Sequence, residues 1–274
     1  MPELPEVEVI RRGLTPHLVG RKILAVVNAG RKLRLPVPKA RLQELVVNGS
    51  ITELSRRAKY LLIHMANGAV LVIHLGMTGR LRIFPANTPL VRHDHLRFRL
   101  DNDQELRYND TRRFGAILVF GSQQAMAQEL FAALGPEPFD QEFSADYLLD
   151  MARARKQPVK NFLMASRTVV GIGNIYASEI LFAARVSPIK PAVKITKKSW
   201  QNLVAATRKI LAAAIESGGT TIADYVDGNG RPGYFQLQLQ VYGRGGEPCR
   251  LCQGRITKIK QAGRATYYCP RCQR

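Results

Sequence analysis

Apolar residues recur at helical spacing from the start of the chain. Val7, Ile10, Leu14 and Leu18 fall on one side of residues 5–19, which predicts an amphipathic helix. The period then shortens, and strand signals dominate to about residue 121. YLLIHMANGAVLVIHL carries two apolar runs around Asn67-Gly68, a pair that tolerates the positive φ angles of a two-residue hairpin. In HLRFRLDNDQELRY, Leu96, Phe98 and Leu100 alternate with Arg97 and Arg99, and Asp101 to Asp103 make the turn. These segments predict an antiparallel sandwich or barrel with the first helix packed against it. Helical spacing returns over 123–134, 145–153, 174–184 and 197–216, the last carrying Trp200, Leu203, Val204, Ile210, Leu211 and Ile215. GPEP at 135–138 punctuates a boundary. The expected fold class is α+β and multidomain: a β-sandwich over 1–134, a helical domain over 135–240 and a cysteine-bearing tail over 241–274.

Charge changes the picture more than composition does. In 274 residues, 41 Lys and Arg face 21 Asp and Glu, for a net charge of +20. The excess is clustered, with net +9 in residues 151–200 and net +7 in 241–274. Solubility charge would be spread and mixed in sign; clustered cations are the footprint of a polyanionic partner. No apolar run approaches the ~18 residues of a membrane span. The N-terminus lacks the basic and apolar regions of a signal peptide. A cytoplasmic, nucleic-acid-associated protein is therefore expected, with no membrane partner.

The tail reads Cys249-x2-Cys252, sixteen residues, then Cys269-x2-Cys272. Two spaced thiolate pairs on tight knuckles suit one tetrahedral structural zinc, and they fit it better than a redox dithiol. Arg255, Lys258, Lys260 and Arg264 lie between them, so the metal would fix a cationic hairpin. In VVGIGNIYASE (169–179), Gly171 and Gly173 permit close backbone approach, and Asn174 is expected to cap the following helix. Such a helix start is either a plain turn or a phosphate site. RRAKY (56–60) and HLGMTGR (74–80) fall at strand ends, where Lys59 reads as a surface lysine and Met77 as core. His93 and His95 alternate on one strand face, a weak metal signal without a third ligand nearby. NDTRRFGA (109–116) puts two arginines and a phenylalanine at the end of a hairpin, either a turn with a buried Phe or a wedge of the kind that enters base steps. MPELPE opens the chain with two readings. Its carboxylates suit a helix N-terminus, and removal of Met1 would expose the secondary amine of Pro2 as a nucleophile.

Taken in order, MPELPEVE, RRAKY, HLGMTG, RRFG, VVGIGNIYASE, GGTT with GRPGYF, and the four-cysteine ribbon resemble the bacterial formamidopyrimidine-DNA glycosylases over nearly the whole chain. The resemblance implies a β-sandwich, a helix–two-turn–helix domain and a zinc ribbon. It implies excision of oxidised purines (8-oxoguanine and formamidopyrimidines) from double-stranded DNA, then β,δ-elimination at the abasic site, by a monomer with one structural zinc. On this resemblance Pro2 is the nucleophile, Glu3 the acid that helps open the sugar, Glu6 the carboxylate that orders the N-terminus and Lys59 an active-site lysine. His74, Asn174 and Arg264 match phosphate-gripping positions, with Arg264 counted among the catalytic residues. His93 joins the DNA-binding set. Met77, Arg112 and Phe114 match the residues that fill the space left by a flipped base. Residues 218–235, with Thr220, Thr221 and Tyr234, match the loop that covers that base. Two positions depart from the family pattern: Val9 stands where threonine is usual, and Thr111 stands where proline is common, which implies a less rigid wedge loop.

Two other readings are open from the sequence. An endonuclease VIII-like enzyme shares the proline chemistry but prefers oxidised pyrimidines; the RRF segment and Leu4 argue against it. A non-catalytic DNA-binding protein would not need the Pro2-Glu3 pair.

Overall fold

The computed structural model describes residues 2–219 and 239–274. The described chain divides into two compact units, 2–132 with 218–219, and 133–217 with 239–274.

The first unit begins with α1 (Leu4–Leu18), whose N-cap is Glu3 and whose first turn holds Pro5. Its strands are β1 (Ile23–Asn28), β2 (Ile51–Arg57), β3 (Tyr60–Met65), β4 (Val70–His74), β5 (Gly79–Pro85), β6 (Asp94–Leu100), β7 (Gln104–Asp110) and β8 (Ala116–Phe120). A short helix, α2 (Lys39–Leu45), precedes β2; strand expectations had covered it, because only Leu42 of its seven residues is buried and no apolar period shows. Two four-stranded antiparallel sheets form, in the orders β1-β6-β7-β5 and β2-β3-β4-β8. The hairpins expected at Asn67-Gly68 and at 101–103 are present, as β3–β4 and β6–β7. Val7, Ile10, Leu14 and Leu18 of α1 join the apolar faces of both sheets in one core.

The sheet orders correct one expectation. Segment 109–116 is not a hairpin end, because β7 pairs with β5 and β6 while β8 pairs with β4. Residues 111–115 therefore cross from one sheet to the other. The β4–β5 connection, 75–78, makes the same crossing. After β8, α3 (Gln123–Met126) is capped by Ser122 and widens into a π-turn over Ala127–Phe131, so the helix expected over 123–134 is shorter and irregular. Met126, Leu130 and Phe131 cover the outer face of the second sheet.

The second unit contains α4 (Ala145–Ala152), α5 (Val159–Met164), α6 (Asn174–Ala183) and α7 (Lys197–Glu216). Three of these match the apolar periods, and α5 is too short to show one. Ser144 and Thr196 cap α4 and α7 with their hydroxyls. A two-stranded ribbon, β9 (Thr257–Gln261) and β10 (Arg264–Tyr268), follows. Its core is small: Phe182, Val241, Ile256 and the buried Cys249 and Cys269. Among the described residues no helix is long and apolar enough to cross a membrane.

Candidate active site

The N-terminus is packed rather than frayed. Pro2 is buried, and Glu3 and Glu6 are 1% and 2% exposed. The Glu3 amide donates to Glu6 Oε2 at 2.7 Å and closes a capping box. The helix start thus supplies both a reason for the carboxylates and a fixed pose for Pro2, whose ring precedes Glu3 by one peptide. Gly219, at φ +80°, lies over this pair. A Cβ there would stand 3.2 Å from Glu6 Oε1, so only glycine lets the backbone cross so closely in that conformation.

Lys59 sits on the β2–β3 turn, beside Ala58 at φ +54°. Glu8, on the first turns of α1, ties this turn to the helix. Glu8 pairs with Arg56 at 3.4 Å, and Arg56 Nη1 donates to the Ala58 carbonyl at 2.9 Å. Burial pushes the Glu8 carboxyl up, but Arg11, Arg12 and Arg56 outweigh it and hold the group below its ordinary range. Lys59 also acts on His74. Burial, then Lys59, then Arg34 drive its imidazole down to about 4, against a smaller opposing pull from Asp110. The ring is therefore neutral near pH 7. Its Nδ1 accepts the Gly76 amide at 3.1 Å, which leaves the hydrogen on Nε2, a neutral donor. The Tyr60 ring packs against it at 4.9 Å.

The two sheet crossings stand side by side. Met77 and Phe114 are exposed, and the Arg112 guanidinium lies over the Phe114 ring at 4.6 Å. Gly76 lacks a side chain for a steric reason, since a Cβ would collide with the Phe114 backbone. Thr78 Oγ1 donates to Asp110 Oδ1 at 2.5 Å and accepts the Arg112 amide at 3.0 Å. The roles of Thr78 and Asp110 leave no local mark in the sequence, because the bonds through Thr78 span 32 and 34 residues. His93 lies just before β6 with φ +75°, while His95 is buried on the strand with Nε2 bonded to the Asp110 carbonyl at 2.8 Å. The two rings lie side by side, 6.1 Å between centroids, but no third metal-ligating side chain joins them among the described residues. His93 lines a cavity of about 410 Å³ with Arg31, Arg92, Thr111 and Arg113.

In the second unit Asn174 departs from expectation. It is the first residue of α6, after Gly173, and its side chain does not cap the helix. Instead Oδ1 accepts from Lys160 Nζ at 2.7 Å and Nδ2 donates to the Ala265 carbonyl at 2.9 Å. Lys160, 1% exposed, also donates to the Ala265 carbonyl at 3.2 Å and to Thr266 Oγ1 at 2.7 Å. These bonds hold β10 on the start of α6 and bring exposed Arg264 next to Asn174. A buried lysine within a basic stretch was the signal; its single-residue spacing gave no hint of its partners.

The buried carboxylate of Glu179 anchors the chain entering the ribbon by accepting the amides of Gln240, Val241 and Tyr242 at 2.8–3.0 Å. The Sγ atoms of Cys249, Cys252, Cys269 and Cys272 lie within 4.8 Å of one another, close to the ~3.8 Å edge of a tetrahedron with 2.3 Å Zn–S bonds. These residues fit one structural zinc. No other candidate metal cluster occurs among the described residues. Thr220, Thr221 and Tyr234 lie outside the described residues.

Three family models match the chain in succession: the formamidopyrimidine-DNA glycosylase N-terminal domain over 1–117, the formamidopyrimidine-DNA glycosylase H2TH domain over 134–226, and a zinc finger found in FPG and IleRS over 246–274. The formamidopyrimidine-DNA glycosylase of Idiomarina loihiensis is 48% identical over 274 residues, covering all of both chains. Among solved structures, a Lactococcus lactis FPG point variant in complex with Fapy-dG-containing DNA is 35% identical, with TM-score 0.93 and full coverage of both chains. The Lactococcus lactis Fpg bound to DNA with an abasic site is 35% identical, with TM-score 0.92 and 99% of each chain covered. With its sandwich, helical unit and four-cysteine zinc ribbon, this chain belongs to the formamidopyrimidine-DNA glycosylase family.

Proposed function

We propose that this DNA glycosylase and abasic-site lyase, an enzyme of base excision repair acting on oxidised purines, carries its nucleophile on Pro2. The observation behind this reading is the buried N-terminus itself, where Pro2 precedes Glu3, whose backbone amide is held by the Glu6 carboxylate at 2.7 Å. After loss of Met1, the Pro2 nitrogen attacks C1′ of the damaged nucleotide and the C1′–N bond to the base breaks. Glu3 protonates O4′ as the sugar opens, giving an iminium on Pro2. The iminium takes up the electron pair released when C2′ loses its proton, and the 3′ phosphate leaves; a second elimination releases the 5′ phosphate. Hydrolysis then frees Pro2. Glu6 keeps the helix start in place. Lys59 adds positive charge that disfavours the protonated amine.

The damaged base must leave the stack before Pro2 can reach its sugar. Met77 and Phe114 fill the vacated space, and the fork of Arg112 reads the orphaned partner base through two adjacent cytosine acceptors, O2 and N3. Neutral His74 donates Nε2–H to a phosphate, and Asn174 and Arg264 grip others, with Arg264 at the departing one. His93 adds a contact from the sandwich. Residues 218–235 cover the flipped base. The enzyme acts as a monomer on DNA in the cytoplasm, in the nucleoid.

Borohydride trapping tests the nucleophile. On a duplex with one 8-oxoguanine, the adduct should map to a peptide beginning at Pro2, and Glu3→Gln should suppress base release while leaving DNA affinity near that of the parent. An adduct on Lys59, or full activity in protein retaining Met1, would overturn the reading. A parallel duplex with an oxidised pyrimidine separates it from the endonuclease VIII-like alternative.

A further inference from the structure

Asp110 is fully buried at the end of β7, and its carboxylate is filled by donors. Oδ1 accepts the Thr78 hydroxyl at 2.5 Å, and Oδ2 accepts the Gly115 amide at 2.9 Å and the Tyr108 hydroxyl at 3.1 Å. Its backbone carbonyl receives His95 Nε2 at 2.8 Å and the Arg113 amide at 3.3 Å. One residue thus fastens both sheet crossings, 75–78 through Thr78 and 111–115 through Gly115 and Arg113.

The polarity of this chain of bonds admits one arrangement. A backbone amide only donates, and a hydroxyl has a single hydrogen to give. With that hydrogen committed to Asp110, Thr78 Oγ1 presents a lone pair to the Arg112 amide at 3.0 Å. Bonds in series polarise one another, so the hydroxyl is a better acceptor for Arg112 than it would be alone. Arg113, the next residue, is held at φ +57°, a backbone conformation that a β-unbranched L-residue keeps only when its surroundings impose it. The bond to Thr78 fixes the residue before that reversal, and the Asp110 carbonyl fixes the reversal itself.

We infer that Thr78 and Asp110 are positioning residues for opposite-base discrimination: the relay Arg112 amide to Thr78 hydroxyl to Asp110 carboxylate sets the direction in which the Arg112 guanidinium leaves the wedge. This rests on the reading of Arg112 given above. It also supplies a source of rigidity where Thr111 replaces the family's proline. The wedge loop is braced from the neighbouring crossing instead of by a locked φ within it.

The test compares cytosine-over-adenine preference in kcat/KM for 8-oxoguanine duplexes. Thr78→Val keeps shape and removes the hydroxyl. The ratio should fall about 2- to 12-fold, the range of one net hydrogen bond. Thr78→Ser should restore it. Cleavage of a single-stranded abasic oligonucleotide, which has no opposite base, should be the same in all three proteins. If Arg112→Ala erodes the ratio and Thr78→Val leaves it intact, the relay is overturned while the reading of Arg112 stands. If neither changes the ratio, the reading of Arg112 fails and takes the relay with it. Loss of single-strand cleavage in Thr78→Val would also overturn the inference, by showing a general defect rather than a directional one.

Discussion

Lys160 Nζ donates to Asn174 Oδ1 at 2.7 Å, so the asparagine that opens α6 turns toward the ribbon instead of capping its own helix. The lysine's other bonds, to Ala265 and Thr266, make one buried cation the joint between α6 and β10. A charge so deep costs desolvation and is kept only where its donors are satisfied. Here they order Asn174 and the strand that begins at Arg264.

Lys160→Met should therefore destabilise the second unit by about 1.5–3 kcal/mol, the range for a hydrogen bond to a charged group, since acceptors are left buried without it. Urea unfolding measures this. A cost below about 0.5 kcal/mol would show that water replaces the ammonium without loss.

Zinc removal, or Cys269→Ser, should unfold the ribbon and weaken DNA binding while the sandwich core keeps its own cooperative transition. Five or six phosphate contacts would give a slope of about −5 in log K against log salt, and Arg264→Ala should flatten it by about one unit. Filter binding between low and moderate salt reads both slopes; an affinity independent of salt would refute the electrostatic account of the ribbon.

His74 makes stability depend on acid. Its pKa lies near 4 in the folded chain and near 6.5 when unfolded, so the unfolded state takes up the proton first. Stability is fully present above about pH 6.5 and is lost as pH falls toward 4, by up to roughly 3 kcal/mol. His74→Asn should remove that portion of the pH dependence. An imidazole that titrates near 6.5 by NMR in the folded protein would contradict the burial and the field of Lys59 and Arg34.

Much of this protein is local in origin and was readable along the chain. The face of α1, the Asn67-Gly68 hairpin, the helices at 145–153 and 197–216 and the cysteine knuckles each arise from residues a few positions apart, whose chemistry acts before any tertiary contact. The order of the motifs likewise marked the family, and so its glycosylase and lyase activity and its zinc. The sites of the side chains were another matter. Alternating apolar residues look the same whether a strand turns back on its neighbour or crosses to a second sheet, so 109–116 read as a hairpin end until β7 and β8 were seen in different sheets. Asn174 before a helix reads as a cap, and only a lysine 14 residues upstream and a carbonyl 91 residues downstream turned it away. His93 and His95 do lie side by side, but it took the fold to commit the His95 ring to the carbonyl of Asp110, 15 residues away. In each case the sequence determined which groups were available, and long-range packing decided their partners, because a hydrogen bond or a sheet edge is satisfied by proximity in space and carries no record in the spacing along the chain.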